Sequence, residues 1–133
     1  MDERDVELFN DSIERCSGKP EFLRRFYTRF LASSDTVARK FERTDMRRQA
    51  RLLKTSLYIM MLASGDPERV VHLERLARLH SRVGLDIEPA LYDVWLDLLL
   101  QAVAEFDPLF DEETATAWRR VLQPGIDIMK SRY

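Results

Sequence analysis

Apolar residues recur at intervals of three and four along nearly the whole chain, the spacing that gathers them on one face of a helix. No segment shows the sustained alternation, bounded by hairpin signals, that marks a half-buried strand, so the pattern predicts an all-α protein. A first helix is expected from about Glu3 to Cys16, closing at Ser17-Gly18-Lys19-Pro20, where Gly ends one helix and Pro opens the next. A second is expected from Pro20 to about Ala32, with Leu23, Phe26, Tyr27, Phe30 and Leu31 on one face. Ser33-Ser34-Asp35 supplies a break with capping side chains, a short helix follows from Thr36 to Phe41, and another break falls near Thr44-Asp45.

The long run from Asp45 to Ala63 places Met46, Gln49, Leu53, Leu57 and Met60 on one stripe, with Gln49 its only polar member, and stops at Ser64-Gly65-Asp66-Pro67. A helix from Pro67 to about Arg82 then carries Leu73, Leu76, Ala77 and His80 in register and ends near Gly84. Two long helices complete the chain, Pro89 to Phe106 around Leu91, Trp95, Leu98, Leu99 and Ala102, and Glu112 to Met129 around Trp118, Val121, Leu122 and Met129. These last two are expected to pack as an antiparallel pair. No internal repeat, low-complexity tract or linker divides the sequence, so residues 1–133 read as one domain, long enough to bury a core of its own.

Composition narrows the function classes. The 21 basic and 23 acidic residues read as interspersed along the chain, so nucleic acid is not an expected partner. The single cysteine, Cys16, has no internal partner for a disulfide, and Met1 to Glu7 is acidic and mixed where a secretory leader would be basic and then apolar. With no run long enough for a membrane span, a cytoplasmic protein is expected. Walker, dinucleotide, HExxH, CxxC and nucleophile-elbow signatures are missing, and one Cys with two His on one helix makes a poor zinc set. A prosthetic group needing one protein ligand remains open.

Three residues stand out against that background. His80 lies on an apolar helix face, where a neutral imidazole either ligates a metal such as iron or is a satisfied core histidine. His72, at a different angle on the same helix, reads as a surface residue. Tyr27 sits among aromatic and aliphatic neighbours, so its buried phenol must find a partner, a bound diatomic ligand or a backbone carbonyl. Gln49 places an amide on an otherwise apolar stripe, at a cost unless something bonds to it. Tyr27 and Gln49 therefore either satisfy each other or face a ligand together.

The stretch Phe26-Tyr27-Thr28-Arg29-Phe30-Leu31, followed by Val37 to Phe41 and by Gln49 and Leu53, resembles the distal half of bacterial globins and flavohaemoglobins. Leu76-Ala77-Arg78-Leu79-His80, with Gly84, Pro89, Tyr92, the Leu98-Leu99 pair and later Ala117-Trp118, is similar to their proximal half. The resemblance implies a globin-like fold of six to seven helices, three over three around a haem b pocket, with His80 as proximal iron ligand. By motif match it makes Tyr27 a donor to the gas ligand and lays Phe41 on the haem. Gln49 and Leu53 would close the distal side, Tyr92 would join a hydrogen-bonding group behind the histidine, and Trp95 would face the haem edge. The chain departs from the pattern at Asp35, where a proline is usual and where Ser34-Asp35 should still cap the short helix. The loop from His80 to Tyr92 is slightly longer than in flavohaemoglobins, and the chain reaches Tyr133 without the family's proximal glutamate.

The function so implied is reversible binding of oxygen or another diatomic gas, nitric oxide or carbon monoxide included. Nitric oxide dioxygenase-like detoxification with an external reductase is the enzymatic alternative, since no flavin or nicotinamide segment accompanies these helices. A gas sensor or interaction module and a cofactor-free helical bundle are the remaining readings.

Overall fold

A computed structural model describes residues 2–133, apart from the side chains of Pro67 and Val70. Seven α-helices carry the fold: α1 (Glu3–Ser17), α2 (Glu21–Ala32), α3 (Asp35–Lys40), α4 (Met46–Ser64), α5 (Val70–His80), α6 (Ala90–Phe106) and α7 (Glu112–Ser131). Their starts follow from capping chemistry. Asp2, Ser34, Asp45 and Asp111 each accept from backbone N–H groups that a helix leaves without a partner in its first turn. Ser34 Oγ accepts from Val37 N at 3.2 Å, so α3 is capped with aspartate in the usual proline position.

The helices lie three over three, α1, α4 and α5 across α2, α6 and α7, with α3 against α2. The expected pairing of the last two helices is not what dominates. α7 spends most of its packing surface on α1, α4 and α5, α6 packs chiefly on α2, and the two touch only slightly. The reason lies in α7 itself, which buries Thr114, Ala117, Trp118, Val121, Leu122, Gly125, Ile126 and Met129, too wide a face for one neighbour. It runs unbroken through Pro124 and Gly125. A Cβ on Gly125 would sit 2.6 Å from Met60 Cε and 3.1 Å from its Cγ, so the glycine leaves room for the Met60 side chain where α4 meets α7.

One end of the core is fastened by a buried polar group. Asp107 accepts from Ser12 Oγ at 2.6 Å, from Arg15 at 2.6 and 3.0 Å, and from Leu109 N at 2.9 Å. Trp118 Nε1 donates to the same Ser12 oxygen at 2.9 Å, and its ring packs on Phe9 with centroids 4.5 Å apart. This ties α1, the α6–α7 turn and α7 together with every partner satisfied.

The α5 region ends earlier than its pattern predicts. Residues Pro67–Arg69 form a 3-10 turn, α5 begins at Val70, and His80 is its last residue, two positions short of the expected Arg82. The chain turns there because Leu85 N and Ile87 N donate back to the carbonyls of Leu79 and His80, at 2.9 and 3.0 Å. A Cβ on Gly84 would run into the Leu79 carbonyl, so this return needs glycine.

Candidate functional site

Capping and periodicity deliver three of the candidate residues to one cluster. Tyr27, on the inner face of α2, is 5% exposed and lies edge-on to Phe26 and to Phe41, at centroid distances of 4.9 and 6.0 Å. Phe41 reaches this place as the residue that closes α3, and it also meets Phe30 at 6.1 Å. Gln49, on the inward stripe of α4, donates from Nε2 to Tyr27 Oη at 3.3 Å. Because the amide N–H supplies the proton of that bond, the tyrosine keeps its own hydroxyl hydrogen to give elsewhere. Burial pushes the Tyr27 phenol up to about 12, against a smaller downward pull from Gln49, so the hydroxyl stays protonated at neutral pH. Leu53, one turn beyond Gln49, is buried in the same core.

His80 is delivered by α5, which packs beside α4. Its Nδ1 lies 2.8 Å from the Leu76 carbonyl oxygen. A carbonyl only accepts, so Nδ1 carries the ring proton and Nε2 holds a free lone pair. Burial, only partly offset by the Leu76 bond, lowers the pKa of His80 and keeps the ring neutral at neutral pH. A neutral, oriented imidazole with an unprotonated Nε2 is the form that binds a metal. His72 is exposed, as its angle on the helix predicts.

Tyr92 and Trp95 come from the first two turns of α6. The Trp95 ring meets Phe26 edge-on at 6.4 Å, which joins it to the Tyr27 cluster. Tyr92 does not join His80, whose ring proton is taken by Leu76. Among the described residues, Tyr92 Oη and Glu88 Oε2 are the buried side-chain atoms with no hydrogen-bond partner, and burial pushes the Tyr92 phenol up to about 12. The loop that leads from His80 to them is held from outside. Lys40 Nζ donates to the Asp86 carbonyl at 2.5 Å, Tyr133 Oη donates to Asp86 Oδ1 at 2.6 Å, and Arg82 lies over the Tyr133 ring at 4.8 Å. Asp86 takes a φ of 53°, a left-handed conformation that a short polar side chain tolerates.

These features suit a flat apolar cofactor with one axial ligand. Phe41 at the end of α3, Leu76 on α5, Ile87 in the following loop, and Leu91, Trp95 and Leu98 on α6 pack on the core yet remain only partly buried, apolar surface that such a group would cover. The open groove between α1, α2 and α4, about 170 Å³ and lined by Ile13, Phe22, Leu23 and Leu57, contains none of the candidate residues. No cluster of three or more His, Cys, Asp or Glu positioned to hold a metal occurs among the described residues.

A feature that reading the charges as interspersed overlooks is the position of the unpaired cations. Arg39, Arg43, Arg47, Arg48, Arg51 and Lys54 are all exposed, and none donates from its side chain to another group among the described residues. The signal was present in the sequence, because residues 39–54 hold only Glu42 and Asp45 as acids.

No protein-family profile matches the chain, and no curated protein matches it. A similar solved structure is the crystal structure of a Pseudomonas aeruginosa PAO1 protein, itself described as structurally highly homologous to a human haemoglobin. It superposes with a TM-score of 0.93 at 41% sequence identity, over 97% of this chain and 98% of the other.

Proposed function

On the premise that this chain belongs to the bacterial globins, we propose that it holds a haem b between α4 and α5, with His80 as the iron ligand, and reversibly binds a diatomic gas. The observation that carries the reading is the state of His80: a neutral ring whose Nδ1 proton is bound to Leu76, leaving Nε2 directed to a ligand by its lone pair. The all-α globin fold supports it, as does the partly buried apolar surface of Phe41, Leu76, Trp95 and Leu98.

Haem supplies the iron at which the gas binds. The chain supplies the rest. Leu76 fixes the tautomer and plane of His80. Gln49 holds the Tyr27 oxygen, so the phenol hydrogen is aimed away from the amide and donates to a polar diatomic in the pocket. The Tyr27 ring, buried against Phe26 and Phe41, keeps that donor in a water-poor setting where its bond is strengthened. Such a donor favours oxygen over carbon monoxide, because the more polar bound ligand gains more from a hydrogen bond.

Oxygen release tests this assignment. A donor to a partly charged acceptor contributes about 1.5–3 kcal/mol, so Tyr27→Phe should release oxygen roughly ten- to a hundredfold faster in stopped-flow measurements. An unchanged off-rate would remove Tyr27 from the ligand's surroundings. Sustained consumption of nitric oxide with an added reductase would move the reading to the dioxygenase alternative; a single stoichiometric reaction would keep it with binding.

A further inference from the structure

α4 stands off from the first two helices. It packs on α7 and α5 and makes little contact with α1 or α2, which leaves a groove of about 170 Å³ between the three. Ile13, Phe22 and Leu57 close its floor, each at most 2% exposed, and half-buried Leu23 and Ala50 with exposed Pro20 form apolar walls. An apolar chain that fits such walls gains by displacing the water on them. Ala50 and Leu57 lie two turns apart on α4, so the groove follows that helix for about 10 Å.

The rim carries charge of one sign. Arg51 and Lys54 border the groove on α4 and Lys19 borders it on the α1–α2 turn, and no aspartate or glutamate lines it. Arg51 and Lys54 are exposed and have no side-chain partner among the described residues. Lys19 donates to the carbonyl of Phe106, a neutral partner that leaves its charge unmatched. Acids adjacent in sequence are engaged elsewhere: Glu14 accepts from Tyr58 Oη at 2.6 Å, and Glu21 pairs with Arg24 at 2.6 Å. Arg51 and Lys54 also stand one turn apart on the same helix, where like charges repel. Unmatched positive charge beside an apolar groove is complementary to one class of small molecule, an anion with hydrocarbon behind it.

We propose that this groove binds a free monocarboxylate with an unbranched alkyl chain of medium length. Arg51 and Lys54 hold the carboxylate, and the chain lies along α4 against Leu23 and Ala50. The Arg51 guanidinium offers paired N–H donors that match a carboxylate, Lys54 adds a compact charge, and the anion relieves the repulsion between them. None of the lining residues belongs to the proposed haem site, so occupancy of the groove does not depend on the haem reading.

Titration calorimetry of the purified protein with hexanoate, octanoate and decanoate is the test. Each added methylene should tighten binding about fourfold, the factor that burial of one such group supplies. Arg51→Glu/Lys54→Glu should weaken decanoate binding about tenfold or more and should instead take up decyltrimethylammonium, which the unaltered protein leaves unbound. Arg119→Glu, on α7, should leave decanoate affinity unchanged, and circular dichroism confirms that each variant is folded. An affinity that does not rise with chain length, or that is equal in the double variant, would overturn the proposal, as would no binding at all. So would a shift of the Soret band on adding decanoate, which places the carboxylate at the haem, or binding to phosphatidylglycerol vesicles without binding of the free acid.

Discussion

His80 and Tyr27 were visible in the sequence as polar groups on apolar faces, but their states were not. Which ring nitrogen of His80 holds the proton depends on the Leu76 carbonyl one turn earlier, and the direction of the Tyr27 hydroxyl depends on Gln49, from another helix. Tyr92 shows the limit from the other side. Motif match places it in a hydrogen-bonding group with the histidine, yet its hydroxyl is buried without a partner, because the Leu76 carbonyl lies within α5 itself and already holds the His80 proton. A buried hydroxyl without a partner costs about 1–3 kcal/mol, so Tyr92→Phe should raise the stability of the haem-free protein toward that amount in urea unfolding. Lower stability in the variant would mean that the hydroxyl is bonded. At the opposite end of the core, burial pushes the Asp107 carboxyl up, but its bonds from Arg15, Ser12 and Leu109 N–H outweigh that and hold its pKa below the ordinary 3.8. A depressed folded-state value means that its stabilisation is complete above 3.8 and is lost as the pH falls through the lower folded value. Asp107→Ala should destabilise by roughly 3 kcal/mol at neutral pH and flatten the acid limb of the stability curve. An unaltered acid limb would show that this carboxylate does not govern it.

At the scale of elements, caps and periodicity located all seven α-helices, and the departures come from interactions that a linear pattern does not contain. α5 stops at His80 because the following loop folds back onto the carbonyls of Leu79 and His80, contacts between residues six and seven apart that helix periodicity does not register. α7 continues past Pro124 because its inner face is buried on three helices, which outweighs the one backbone bond a proline removes. The α5–α6 loop sets where the histidine-bearing end of α5 lies, and Gly84 is its tightest point. Gly84→Ala drives a Cβ against the Leu79 carbonyl, so it should cost about 1–3 kcal/mol in urea unfolding and speed haem loss as His80 is displaced. Equal stability and equal haem retention would show that the loop yields without moving the helix.

For the whole molecule, the all-α class followed from periodicity and the three-over-three order from the resemblance to globins, while the neighbours of each helix followed from neither. Apolar stripes say that α6 and α7 are buried; they do not say that α7 should divide itself among α1, α4 and α5. Charge behaves in the same way. Totals of 21 and 23 look balanced, yet among the described residues three-dimensional pairing leaves the unpaired cations mainly on α3, the turn after it, α4 and α5. No helix among the described residues is long and apolar enough to cross a membrane. Absorption spectroscopy of the purified protein tests whether these helices hold an iron porphyrin on His80 as proposed. A strong Soret band is expected that shifts on reduction and again with carbon monoxide, and that weakens or changes coordination in His80→Ala. A protein that shows no such band after haem is added to it, or whose band is untouched by His80→Ala, would contradict it.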